Sequence, residues 1–312
     1  MNTIFADLFV TPFVNIAEAP DFFLEVLVGG LLSGVMYSLV ALGFVLIFKA
    51  SGVFNFAQGA MVLFAAMFFA GFLGMGWSPW LALAATVLVM LVLAITIERV
   101  VLRPLVNQPM IILFMATIGV TYFIDGFAQI VWGSDIRKIE IGIPKDPIDF
   151  GVIQVNSFDL VAAATAALLV VVLALFFHYT RVGRALRAVA DDHQAALSVG
   201  IPLQTIWVVV WFTAGLVALV AGVIWGAKLG VQFSLAQVAM KALPVLILGG
   251  FTSIPGAIVG GLIIGAGEKL GEVFWGPAFG GGIEDWFAYM VALVFLLFRP
   301  QGLFGEKIIE RV

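Results

Sequence analysis

Long apolar runs, separated by short polar stretches, constrain this chain more than any other feature of its sequence. An α-helix needs about 20 apolar residues to cross a lipid bilayer, and in lipid its backbone groups are all bonded within the helix. The runs therefore predict an all-α polytopic membrane protein. They cover 22–48, 56–75, 79–102, 109–132, 158–178, 204–227, 236–250, 254–274 and 284–300.

The seventh run is short and carries Lys241 and Pro244. A charge and a helix breaker are tolerated at membrane depth where the backbone is buried in protein or lines a cavity. This run therefore predicts a broken or re-entrant segment. We expect about 8-9 transmembrane helices, including the broken or re-entrant segments. If there are nine, the two chain ends face opposite sides of the membrane.

Composition excludes several other classes of protein. Charged residues make up 11% and hydrophobic residues 63% of the 312 residues, whereas soluble chains carry about 25% charged residues. The absence of cysteine rules out a disulfide framework and a thiolate metal site. No Lys or Arg precedes Lys49, so a cleaved signal peptide with a basic start is not expected.

The distribution of basic residues predicts the orientation, because Lys and Arg are enriched in cytoplasmic loops. It predicts an N-terminus outside and a C-terminus in the cytoplasm. The longest external loop is then 133–157, for which strands and turns are expected. Whether this loop receives an external partner or is a solvated connector stays open. The predicted inner residues are Lys49, Arg99, Arg103, Arg181, Arg184, Arg187, Arg299, Lys307 and Arg311.

One polar island, 181–201, lies on the predicted inner side. Its apolar and small residues recur at spacings of three, four and seven, with charged residues between them. Asp191 or Asp192 is placed to cap a second helical piece, and Gly200 is placed to end it. The pattern favours an amphipathic helix that docks on a partner over a basic loop.

Five motifs in order resemble the branched-chain amino-acid type ABC transporter permeases, specifically the LivH-type subunit. The resemblance extends from about Phe22 to Gly305, and the ordered set is what makes it specific. The motifs are GVFNFAQG at 52–59, IERVVLRPL at 97–105, YTRVGRALRAVADDHQAALSVGI at 179–201, KALPVLILGGFTSIPGAIVGGLIIG at 241–265 and FRPQGLFG at 298–305.

The resemblance implies a permease subunit of a binding-protein-dependent ABC importer in the bacterial cytoplasmic (inner) membrane. Such a subunit pairs with a second, LivM-type permease as a heterodimer. It also works with two cytoplasmic ABC ATPases, which use ATP-Mg, and with an extracytoplasmic solute-binding protein. No GxxxxGK[ST] motif occurs in the chain, so it is not expected to hydrolyse ATP itself. The resemblance implies that no cofactor is bound by this chain.

Within this scheme, residues 1–312 would form a single permease transmembrane domain, and 181–201 would be its cytoplasmic coupling loop. Movement of the coupling helix on the ATPase would switch the transport cavity between its two open sides. The resemblance implies coupling roles for Arg184, Arg187, Asp191, Ala195 and Gly200.

Polar residues inside the apolar runs are candidates for the translocation path, because they are costly at membrane depth. Asn55 and Gln58 adjoin Gly59, which would allow a bend. Their amides suit either a substrate or the backbone of a neighbouring helix, and both roles stay open. The family usually has His where this chain has Gln58. The glutamine therefore replaces a titratable side chain with one that does not titrate.

Thr252 and Ser253 interrupt the last third of the chain in a similar way. Interrupted hydrophobic segments at corresponding places in two halves are typical of the central site of a transporter. An alignment that places Gly52 on Gly249 also places Phe54 on Phe251, Gly59 on Gly256, Ala60 on Ala257 and Val62 on Val259.

Lys241 is expected to snorkel to the membrane surface; a substrate carboxylate or a glutamate is its other candidate partner. The expected cargo is a branched-chain or other hydrophobic amino acid, with urea, short amides and aromatic acids as the alternatives found among relatives. An ATP-independent channel or carrier is less favoured, because both histidines lie near the inner loop and no acidic or histidine relay occupies mid-span.

Overall fold

The computed structural model describes residues 8–105, 108–144, 146–191 and 193–305, and it confirms an all-α membrane protein. Short π-helical and 3-10 turns extend some of its helices. The helices are α1 (Thr11–Glu18), α2 (Pro20–Ser51), α3 (Gln58–Gly74), α4 (Pro79–Thr96), α5 (Met110–Trp132), α6 (Ser157–Tyr179), α7 (Arg181–Asp191), α8 (His193–Ser198), α9 (Leu203–Leu229), α10 (Val238–Gly249), α11 (Ile254–Leu270), α12 (Gly276–Phe279) and α13 (Glu284–Phe298).

Five helices in the described ranges are long and apolar enough to cross a membrane, and a bent pair raises this number to six. The predicted count of eight or nine is not confirmed. The runs at 56–75 and 284–300 form helices of only 17 and 15 residues, shorter than the usual membrane span. The five long helices are Pro20–Ser51, Pro79–Leu105, Met110–Trp132, Ser157–Tyr179 and Leu203–Leu229.

The predicted broken segment is present, but its break does not lie at Pro244. Helix α10 continues through Pro244 and ends at Gly249. The chain then bends by 114° between Phe233–Gly249 and Ile254–Phe279. Proline is tolerated inside a membrane helix when neighbouring groups satisfy the freed carbonyl.

A β-hairpin occupies part of the predicted external loop. Strand β1 (Pro147–Asp149) pairs antiparallel with β2 (Gln154–Asn156), with Ile148 opposite Val155. The turn contains Gly151 at a φ of 84°, and the amide of Gly151 donates to Asp149 Oδ1 at 2.7 Å. The strand and turn character predicted for this loop is therefore confirmed.

The chain divides into two compact units. In the first unit, glycines let α2 and α11 approach at backbone distance. A Cβ at Gly30 would lie 2.8 Å from the Cα of Ala266, and one at Gly34 would collide with the carbonyl of Gly261. Small residues at helix contacts are the usual solution in a membrane. Within the described ranges, the first unit comprises Met1–Ser38, Gly142–Ala167 and Lys241–Val312, and the second comprises Leu39–Ile141 and Leu168–Met240.

Helix α3 is the core of the second unit, since every residue from Gln58 to Gly71 is buried. It packs closely on α9, where a Cβ at Gly222 would lie 2.5 Å from the carbonyl oxygen of Val62. In the interruption before α3, Val53, Asn55 and Ala57 are buried, whereas Phe56 is exposed, so protein encloses part of this unwound backbone.

Candidate functional site

The predicted inner segment folds as two helices, α7 and α8, on either side of residue 192. Gly200 follows α8 at a left-handed φ of 83°, and its amide donates to the carbonyl of Leu197 at 3.0 Å. A side chain is strained at this φ, which is why glycine ends the helix. Asp191 is the last residue of α7, whereas the alternative cap Asp192 lies outside the described residues.

The arginines of α7 contact the end of the preceding helix α6. Arg187 donates from Nη1 to the carbonyl of Phe177 at 2.8 Å and from Nη2 to that of His178 at 3.4 Å. Arg184 donates from Nη1 to the carbonyl of Tyr179 at 3.4 Å. The last carbonyls of a helix lack partners within it, so these cations complete α6 and fix the direction in which α7 leaves.

Gly183 makes this close approach possible, and sequence reasoning missed it. A Cβ at Gly183 would collide with the carbonyl of Phe177. Glycine inside a helix costs about 1 kcal/mol relative to alanine. A glycine directly after a membrane helix and inside an amphipathic pattern was therefore the available signal for tight packing.

The end of α8 exposes apolar surface. Leu197 and Val199 are 53% and 75% exposed, and Ala195 is exposed beside them. In contrast, Leu186 and Val189 of α7 are buried. Contiguous apolar exposure beside a tight turn is typical of a surface that contacts another protein.

The interruption between α2 and α3 is held by two side-chain amides. Asn55 Oδ1 accepts from the amide of Ala57 at 3.0 Å, and Gln58 Nε2 donates to the carbonyl of Ala214 in α9 at 3.4 Å. Both side chains are fully buried. In this conformation they turn the chain and join helices, which is one of the two roles left open by the sequence.

Gly59 lies inside α3, so the bend expected at this residue is wrong. The bend occurs earlier, at 52–57, where Gly52 has a φ of 69°. A Cβ at Gly59 would collide with the carbonyl of Ala236. Close helix packing therefore accounts for this glycine.

The second interruption, between α10 and α11, is built from Gly250 and Ser253. Gly250 has a φ of 101°, and Ser253 Oγ accepts from the amide of Gly256 at 3.0 Å as the N-cap of α11. Thr252 and Ser253 are half-buried. This N-cap was not predicted, although serine before a proline at the start of a helix is a recognised signal.

The two interruptions lie at corresponding places in the alignment of the chain with itself. Helix α2 ends at Ser51 and α3 begins at Gln58, while α10 ends at Gly249 and α11 begins at Ile254. In both α3 and α11, an early glycine lies against a backbone carbonyl. The geometry therefore agrees with the correspondence drawn from the sequence.

The end of α10 is completed by the segment after α13. The amide of Leu303 donates to the carbonyl of Leu248 at 2.8 Å, and that of Phe304 donates to the carbonyl of Gly249 at 3.2 Å. Gly302 permits this contact, because a Cβ there would lie 2.7 Å from the amide nitrogen of Gly250. The FRPQGLFG motif is thus a structural part of the second interruption.

Lys241 is ion-paired, which is the pairing with a glutamate that the sequence left open as an alternative to snorkelling. Its Nζ lies 3.0 Å from Glu268 Oε1, 3.1 Å from Glu284 Oε1 and 2.8 Å from Asp285 Oδ1. Glu268 is only 1% exposed. A buried carboxylate without a partner is very costly, so Lys241 stabilises the helices that carry these acids.

Tyr37 and Lys269 extend this cluster, and sequence reasoning missed both roles. The hydroxyl of Tyr37 donates to Glu268 Oε1 at 3.0 Å, and Lys269 Nζ lies 3.1 Å from Glu284 Oε2. The adjacent charges Glu268 and Lys269 near the end of an apolar run were the sequence feature that pointed to a charged cluster there.

Comparisons with known proteins agree with this architecture. The family model described as "Branched-chain amino acid transport system / permease component" matches residues 26–299. The high-affinity branched-chain amino acid transport system permease protein LivH of Salmonella typhimurium is 29% identical over 307 residues, covering 93% of this chain and 98% of that protein. Its counterpart BraD of Pseudomonas aeruginosa is 30% identical over 306 residues, with the same coverages. The solved structure of PsaBC from Streptococcus pneumoniae in complex with Fab shares the fold, with a TM-score of 0.51 and 16% identity over 92% of this chain and 97% of that one.

Proposed function

The chain belongs to the family of permease components of branched-chain amino acid transport systems, in its LivH type, and we propose that it forms half of an ATP-driven import path for branched-chain or other hydrophobic amino acids. The family match over 26–299 carries this proposal. The match runs through both compact units. This continuity supports treating 1–312 as one permease domain.

The partners in this proposal are a LivM-type permease, two cytoplasmic ABC ATPases that hydrolyse ATP-Mg, and an extracytoplasmic solute-binding protein. The exposed apolar end of α8 supports an ATPase contact, because Leu197 and Val199 are open to a partner. Ala195 and Gly200 would lie in that contact. Arg184 and Arg187 would transmit its movement to α6, since both donate to carbonyls at its end.

The proposed orientation has the N-terminus outside and the C-terminus in the cytoplasm. In the second unit, Ser51, Leu102 and Trp207 line one cavity, so the predicted inner ends of their helices meet. At the other end, the amide of Arg137 donates to the carbonyl of Val231. The predicted inner and outer helix ends of the second unit are thus at opposite ends of its helices, which agrees with the distribution of basic residues.

The proposed path follows the two interruptions, with Asn55, Gln58 and Gly59 at the first and Thr252 and Ser253 at the second. Gln58 Oε1 is buried and has no hydrogen-bond partner among the described residues. An unsatisfied buried acceptor is costly and needs an explanation. In a transport cycle, opening of this region would let the Gln58 amide accept a hydrogen bond from the substrate or from water.

The decisive experiment is co-purification of the tagged chain from its native membrane, with mass spectrometry of all retained proteins. We expect two ATPases and a second permease, and ATP-dependent leucine uptake when this complex is reconstituted with its binding protein. Competition by excess urea, a short amide or an aromatic acid, but not by valine, would assign an alternative cargo. Recovery of the chain alone, active without ATP, would contradict the importer and indicate a channel or carrier.

A further inference from the structure

A polar pocket of about 480 Å³ lies at the end of α3, the end opposite to the interruption that precedes this helix. Its floor is apolar, and its wall carries two cations and one carboxylate from the segment after α5. Its volume falls within the range of about 300–1,000 Å³ that is usual for small-molecule sites. The lining residues are Ala70, Leu73, Gly74, Arg137, Lys138 and Glu140, all in the second unit.

Arg137 is held rigidly at this pocket. Its backbone forms an antiparallel bridge with Val231, with N–O distances of 3.1 and 2.7 Å. Its Nη2 donates to the backbone carbonyl of Trp132 at 2.7 Å, and its guanidinium lies 5.5 Å from the centre of the Trp132 ring. The other terminal nitrogen of Arg137, Nη1, has no hydrogen bond within the described ranges. It lies beside Gly74, since a Cβ built on that glycine would be 3.5 Å from it. The guanidinium is therefore fixed before any ligand binds, which lowers the entropic cost of binding.

Lys138 and Glu140 line the same pocket as Arg137 and carry opposite charges. Both are exposed, and Ile139 between them is buried, so the two flank one anchored residue. Neither forms an ion pair within the described part of the chain. Because they do not neutralise each other, both charges are available to a ligand.

We propose that this pocket binds the zwitterionic head of an α-amino acid at the outer mouth of the permease. Arg137 Nη1 and Lys138 hold the carboxylate, Glu140 holds the ammonium, and Leu73 and Ala70 receive the apolar side chain. A ligand with charges of both signs and an apolar body fits this mixed lining better than an acidic peptide does, because Glu140 would repel the latter. The inference rests on the proposed function, which supplies the ligand and the outward orientation.

The test measures binding of leucine to the assembled transporter in nanodiscs without its binding protein, by isothermal titration. Two leucine analogues are compared: 4-methylpentanoate, which lacks the ammonium, and 3-methylbutylamine, which lacks the carboxylate. The native complex should bind leucine at least about tenfold more tightly than either analogue, since each missing charge removes a charge-assisted contact.

Two variants assign the contacts. Glu140→Gln should weaken leucine binding about three- to tenfold and abolish discrimination against 4-methylpentanoate, as expected for a partly exposed charge pair. Lys138→Gln should instead reduce discrimination against 3-methylbutylamine. Asp135→Asn removes an exposed charge from the same segment without touching the lining and should change nothing.

Equal leucine binding by native complex, Glu140→Gln and Lys138→Gln would overturn the pocket assignment while ATP-driven leucine uptake still supported the importer. Loss of binding-protein affinity in these variants, with analogue discrimination intact, would reassign the surface to protein docking. Absence of leucine uptake by the intact native complex would count against the proposed function itself.

Discussion

At the scale of single residues, the positions of charges were easier to predict than their partners. The sequence identifies Lys241 and Gln58 as unusual, because polar groups in apolar runs stand out. It does not identify Glu284, Asp285 or Ala214 as their partners. Those contacts depend on how distant helices pack, which a single sequence does not encode locally.

Replacement of Lys241 by Met should destabilise the protein by about 3–5 kcal/mol, because Glu268 would remain buried without its cation. Thermal unfolding of the purified protein in detergent measures this loss. The double variant Lys241→Met/Glu268→Gln should recover much of it. Lys269→Met is the matched control and should cost less than about 1 kcal/mol, since that side chain is 40% exposed. Equal losses for both lysines would argue against a role of burial in this cluster.

At the scale of helices and loops, the pattern of apolar runs predicted most elements. It did not predict which glycines lie at close helix contacts, because that depends on how the helices pack. Gly29 and Gly30 are neighbours in α2, and the sequence treats them alike. In the structure, a Cβ at Gly30 would lie 2.8 Å from Ala266, whereas one at Gly29 would meet nothing within 4 Å. Only the face that packs on α11 distinguishes them.

Gly30→Val should therefore lower the unfolding temperature and reduce the yield of folded protein, because the valine must push α11 away. Gly29→Val carries the same change in helix propensity without the clash and should behave like the native protein. The comparison uses purified protein and thermal unfolding. A similar loss in both variants would mean that propensity, rather than close packing, explains Gly30.

The coupling segment gives a second prediction at this scale. Gly200→Val should uncouple ATP hydrolysis from uptake, because a side chain at a φ of 83° forces the turn after α8 to change. Asp191→Lys should have the same effect if the end of α7 contacts the ATPase. The measured quantity is leucine imported per ATP hydrolysed in proteoliposomes.

Gly142→Val is the matched control for the backbone strain, since Gly142 also has a positive φ, of 71°, and a Cβ at this position would meet nothing within 4 Å. It should leave the ratio of uptake to hydrolysis unchanged. Unchanged ratios in Gly200→Val and Asp191→Lys as well would mean that 181–201 is only a tether.

At the scale of the whole molecule, the absence of cysteine makes orientation directly measurable. Phe150→Cys adds a thiol at the exposed tip of the hairpin, and Ser198→Cys adds one at the exposed end of α8. A membrane-impermeant maleimide should label the first in intact cells and the second only in inside-out vesicles. The reverse pattern would invert the proposed topology.

The number of membrane crossings stays a prediction at this scale, because the described helices do not confirm eight or nine. Apolar runs reveal how much chain lies in the membrane, but not whether a short helix such as Gln58–Gly74 crosses alone or continues another segment. The bend of 114° after Gly249 arises from Gly250 and the Ser253 cap, whereas the sequence drew attention to Pro244. Length and hydropathy do not determine such angles.

The contact of Leu303 and Phe304 with the end of α10 has a consequence for biogenesis. The carbonyls of Leu248 and Gly249 reach the translocon long before their donors have been synthesised. Unpaired carbonyls are unfavourable in lipid. The turn between α10 and α11 therefore reaches its final form only after the ribosome has translated residue 304. Nascent chains stalled before that codon should therefore remain sensitive to protease at the turn between α10 and α11.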